Sequence, residues 1–169
     1  MLVEPMSPDV LVWLVNEWGS APRAAAGEEQ APYPDTDLLA ALLAGSGVRD
    51  CPPSALTGPA LRQVADQLHR VFAAADLAER VTLVAGLLAQ TGVTPALEIT
   101  GDRPGATWRV PGARDTLLAA AALTLRHQLA EHDPNRIGVC SGQRRFCSVT
   151  CQNRARIAAW RQSQRQRQS

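Results

Sequence analysis

Acid and base are segregated along this chain. All sixteen Asp and Glu residues fall within residues 1–133, where nine arginines against them leave a net charge of −7. Residues 134–169 hold eight arginines and no acid, a charge of +8, so the overall charge of +1 conceals the split. There is no lysine. A segment with eight like charges cannot compensate itself inside a compact core, so the chain reads as two parts: a body over 1–133 and a basic tail over 134–169. A tail of this sign is the footprint expected of contacts to nucleic-acid phosphate. It can also dock on the acidic body of its own chain, and the two uses are compatible.

The body's pattern is mostly helical. At 169 residues the chain can form one domain with a small appendage. Its apolar share of 46% with only 4% aromatics leaves Leu, Ala and Val to fill the core. Ser7 can cap a helix over Pro8–Trp18, with Val10, Leu11, Leu14, Val15 and Trp18 on one face and Gly19 ending it. "GSAPRAAAGEEQAPYP" reads as a loop leading into a helix over Thr36–Ala44. Pro59 suits the first turn of a helix reaching about Ala75, with Leu61, Val64, Leu68, Val71 and Phe72 facing inward. Asp76 and Glu79 resemble a capping box opening a helix over Leu77–Gln90. Ala96–Thr100 and Thr107–Val110 then form a hairpin around Gly101–Gly105, and a long alanine-rich helix covers Asp115–Glu131 before Asp133-Pro134 stops it.

Several classes are disfavoured by what the residues lack. The N-terminus has no basic region preceding its apolar run, and the longest uncharged stretch, Val81–Leu97, contains Gly92 and Pro95 and is short for a bilayer span. A cytoplasmic protein that does not enter membranes is expected. No Gly-rich phosphate loop, His-Glu-x-x-His or Gly-x-Ser-x-Gly occurs. His69, His127 and His132 are scattered, His69 as a helix-surface histidine, and Glu28, Glu29 and Glu131 read as solvated charge. No enzymatic activity is expected, and no catalytic residue is assigned.

The tail carries the chemistry. In "VCSGQRRFCSVTCQNRARIAAWR", Cys147 and Cys151 straddle the predicted start of a helix. Thiolates at i and i+4 can meet one ion there, and the helix N-terminus favours their charge. Cys140 can return to them through the turn Ser141-Gly142-Gln143. The set points to Zn²⁺, although three unmetallated thiols would give the same spacing, and a structural zinc site wants four ligands. Asn153, Arg154, Arg156 and Arg161 follow on a helix whose apolar side is Ala155, Ile157, Ala158 and Trp160, and Arg144-Arg145 adds charge on the preceding turn. Arginine forks suit phosphate and can also read guanine, so DNA or RNA is the expected partner; the bland alternative is a solvated basic terminus.

"RRFCSVTCQNRARIAAWR" resembles the C-terminal motif of the CGNR zinc-finger family, with Gln152 in place of the family's glycine. "LVWLVNEWGSAPR", "YPDTDLLAALL" and "LLAAAALTLRHQLAEHDPNRIGVC" resemble the N-terminal ABATE domain of such proteins and its junction with the finger. The resemblance implies a bacterial, stress-related transcription regulator: an ABATE-like α-rich body with one small β-hairpin over 1–133, and a treble-clef-like zinc finger ending in a basic helix over 134–169. In the family pattern a second cysteine closely follows the one matching Cys140; here Cys140 runs directly toward Arg144-Arg145, so the finger is shortened and lacks one ligand. His132 can fold back past the Asp133-Pro134 break to complete a Cys₃His site. Cys51, water or a cysteine of a second copy are the other candidates. The expected metal set is therefore Cys140, Cys147, Cys151 and His132, binding weakly. The expected nucleic-acid set is Arg144, Arg145, Asn153, Arg154, Arg156 and Arg161. The body is expected to sense a signal or form a homodimer. A degenerate finger that binds neither DNA nor zinc, and serves as a protein-interaction module, is the rival expectation.

Overall fold

A computed structural model describes residues 1–45, 48 and 51–132. Within them are six α-helices and a small three-stranded antiparallel sheet, which bears out a mostly helical body with a hairpin. The elements are β1 (Leu2–Val3), α1 (Pro8–Trp18), α2 (Ser20–Ala26), α3 (Thr36–Gly45), α4 (Gly58–Ala73), α5 (Leu77–Thr91), β2 (Thr94–Thr100), β3 (Arg103–Arg109) and α6 (Thr116–Glu131). Short 3-10 turns at Pro53–Ala55 and Ala113–Asp115 precede α4 and α6. No helix among the described residues is long and apolar enough to cross a membrane.

Local chemistry sets most helix ends. The Asp9 N–H donates to Ser7 Oγ at 3.3 Å, with Pro8 at the first helical position of α1. At α5 the Glu79 N–H donates to Asp76 Oδ1 at 2.8 Å, while Glu79 Oε2 accepts at 2.8 Å from the N–H of Ala75, one residue before the N-cap, a variant of the capping box. Gly19 closes α1 where no other residue fits, since a Cβ there would lie 2.5 Å from the Val15 carbonyl oxygen.

Helix α6 is the spine of the core. Every residue from Thr116 to Leu125 is buried, so neighbours cover it on all sides. Its alanines let them approach closely, among them α1, α4, α5 and β1. Thr124 Oγ1 lies 2.7 Å from the Met6 carbonyl and donates to it, tying α6 to the segment before α1. The apolar faces expected on α1 and α4 are buried: Leu14, Leu61, Leu68 and Val71 have no exposed surface. His69 is half-buried on α4.

Three features depart from expectation. First, the supposed loop after Gly19 contains α2. Arg23, 3% exposed, donates to the carbonyls of Glu17, Glu28 and Ala31 and lies 4.3 Å over the Tyr33 ring, which in turn stacks on Trp18. From the other end Asp66 of α4 accepts from both the Ser20 N–H and its hydroxyl, at 2.7 and 2.9 Å. Second, the N-terminus adds β1 to the sheet, with Leu2 opposite Arg109, Val3 opposite Trp108 and the Val110 N–H donating to the Met1 carbonyl at 2.8 Å. Third, the hairpin strands are longer and its turn tighter than expected. Thr100 pairs with Arg103 around Gly101-Asp102, where Gly101 takes a left-handed φ of 64°. Pro104 sits inside β3 because β1 pairs only at Trp108 and Arg109, leaving Pro104 with one neighbouring strand. The far end of the hairpin stands clear of the core: Leu97 and Ile99 are 75% and 78% exposed.

Candidate functional site

Helix α6 ends at Glu131, three residues before the basic stretch 134–169 begins in the sequence. The helix is wholly buried to Leu125, and exposure begins at Arg126, whose guanidinium lies 5.6 Å over the Trp108 ring. At the next residue, His127 Nδ1 lies 3.1 Å from Glu131 Oε1, an i,i+4 pair with 45% and 60% of the two side chains exposed. Glu131 is thus not merely solvated charge; helical spacing brings it to an imidazole. His132 caps the helix, its N–H donating to the Gln128 carbonyl at 3.2 Å. Its exposed ring meets that of His127 edge-on, with centroids 5.5 Å apart.

His132, the imidazole expected to join the cysteines, is therefore exposed where the basic segment begins and has a second imidazole and a carboxylate beside it. Among the described residues no group of three or more His, Cys, Asp or Glu is arranged to hold a metal ion. Cys140, Cys147 and Cys151 lie outside the described residues, as do Arg144, Arg145, Asn153, Arg154, Arg156 and Arg161. The one expected site residue within them is His132. The His127–Glu131 pair went unremarked in the sequence, although its spacing of four on a helix was a usable signal.

Burial disfavours the thiolate of Cys51. It is half-buried against the core, and burial pushes its thiol from 9.0 up to about 11. Because the folded protein holds the proton more tightly than the unfolded chain, the stabilisation is complete below pH 9.0 and is lost as pH rises toward about 11. The expected result is that wild type loses stability relative to Cys51→Ala across that window. Parallel denaturation curves of the two proteins from neutral pH upward check this, and an unchanged difference contradicts it.

The chain matches no family model, no curated protein and no solved structure.

Proposed function

We propose that the chain is a nucleic-acid-binding transcription regulator of the CGNR zinc-finger type. In this reading its tail contacts DNA or RNA, and its ABATE-like body senses a signal or forms a homodimer. The observation that carries the reading is the charge division: −7 over residues 1–133 and +8 over 134–169, with three cysteines set among the tail's arginines. The exposed Leu97 and Ile99 of the hairpin are apolar surface that a dimerising role would use.

Cys140, Cys147, Cys151 and His132 would hold the zinc. Three thiolates and an imidazole suit Zn²⁺, and the ion would supply folding energy to a segment whose composition offers little core of its own. With one family ligand gone, affinity is below that of a complete site. Purified protein is expected to carry about one zinc per chain, lost on dialysis against a mild chelator, and Cys147→Ser is expected to abolish it. Metal analysis of both proteins checks this; full metal retained by Cys147→Ser contradicts the assignment.

The test of the functional reading is titration of a labelled duplex with the full chain and with a chain ending at Asp133. The shortened chain is expected to keep its helical circular dichroism and bind nothing, while the full chain binds. Equal binding by both, or none by the full chain, overturns the reading.

A further inference from the structure

A second site lies at the opposite end of α6 from the tail. There the first turns of α4, the end of α5 and the Ala113–Asp115 turn enclose an open cavity of about 610 Å³, within the range that holds small-molecule ligands. Val64 and Leu118, both buried, form its apolar base. Besides Thr57, at the N-cap of α4, five polar residues line it from three separate parts of the chain: Gln63 and Gln67 on successive turns of α4, Gln90 at the end of α5, and Arg114 and Asp115 before α6.

None of the five has a side-chain hydrogen bond or ion pair within the described protein. Arg114 and Asp115 are adjacent in sequence yet do not pair, and Gln63 and Gln67 have helical i,i+4 spacing yet do not bond. Polar groups that converge on a concave surface without bonding one another are open to solvent, which a ligand of matching polarity can displace.

Their charges define what fits. A guanidinium selects a carboxylate, an adjacent carboxylate selects an ammonium or amide donor, and the glutamine amides both donate and accept. A polyanion is opposed by Asp115, a simple cation by Arg114, and an apolar molecule by all five polar groups. We infer that this cavity binds a small zwitterion of the amino-acid or dipeptide class, its carboxylate on Arg114 and its amino group toward Asp115. The inference names a ligand for the sensing role of the body, but it stands on the cavity alone and holds whatever the tail binds.

The test uses the full chain. Thermal-shift screening with the protein amino acids and glycyl dipeptides at millimolar concentration is followed by calorimetric titration of those that raise the melting temperature. Carboxyl-amidated and N-acetylated forms of each binder, and inorganic phosphate, serve as probes of the charge requirement. At least one zwitterion is expected to bind saturably. Arg114→Gln and Gln67→Leu are each expected to weaken it by more than about tenfold, and blocking either terminus of the ligand should do the same. Both substitutions lie on exposed or half-exposed positions, and circular dichroism checks that both variants fold. Absence of binding by every zwitterion, binding of phosphate alone, or binding unchanged in both variants overturns the proposal. Loss of DNA binding by the tail does not bear on it, so its failure is distinguishable from failure of the regulator reading.

Discussion

Raising the salt concentration should dissociate the full chain from a DNA duplex steeply. If the eight tail arginines each neutralise a phosphate, the slope of log affinity against log salt is about −7, and affinity falls about 10⁴-fold between about 50 and 200 mM salt. Not all eight positions are equivalent. Arg154, Arg156 and Arg161 follow the last cysteine and alternate with the apolar residues Ala155, Ile157 and Trp160, whereas Arg165 and Arg167 sit in the terminal "QRQRQS". Arg156→Ala and Arg161→Ala are each expected to flatten the slope by about one and to weaken binding to unrelated duplexes equally if they touch phosphate. A loss confined to one preferred duplex would identify a base contact instead, for which a bidentate arginine discriminates by about 1–3 kcal/mol. Titrations of each variant against two unrelated duplexes at two salt concentrations distinguish these results. Should every arginine variant bind like the parent, the tail is not a nucleic-acid surface, and the protein-interaction reading replaces it.

Replacing Arg23 with alanine should lower the stability of the protein by about 3 kcal/mol, more than a hundredfold in the folding equilibrium. The side chain is buried, and its guanidinium serves the carbonyls of Glu17, Glu28 and Ala31, which tie the end of α1 to the segment after α2. Removing it takes one donor from each of those carbonyls, of which Glu28 keeps the Ala31 N–H at 3.0 Å, opens a gap beneath Tyr33 and releases the Tyr33–Trp18 stack from its third layer. Arg23→Lys should recover less than half of the loss, because an ammonium cannot match a planar fork shared among three carbonyls and an aromatic face. Arg62→Ala is the control: Arg62 is exposed and only approaches the same ring, at 5.4 Å, so its removal should cost about 0.5 kcal/mol. Urea denaturation of the three variants and wild type measures all of this. Similar midpoints for Arg23→Ala and Arg62→Ala would show that the Arg23 contacts contribute little.

The sequence by itself determined the elements whose causes are local. Ser7 before Pro8, Asp76 three residues before Glu79, and apolar residues recurring at helical spacing on α1 and α4 act within one or two turns, so they could be read without knowing what lies opposite. Charge and thiol chemistry are likewise carried by residue type, which is why the basic tail and its cysteines could be named from the chain alone. Tertiary structure decided the rest. Seven residues around Arg23 become a helix because carbonyls up to eight positions away and a stacked Tyr33 need its guanidinium. Two residues at the N-terminus become a strand because β3, far along the chain, offers them an edge. The alanine run of α6 was legible as a helix, but with no apolar stripe its burial on every side was not. The meeting of His127, Glu131 and His132 at one end of that helix is local, set by helical spacing, but the meeting of Gln67, Gln90 and Arg114 at the other end follows from how helices pack rather than from any one segment. Groups far apart in the chain become a site only when the core fixes their distance, and periodicity within a segment carries no information about that distance.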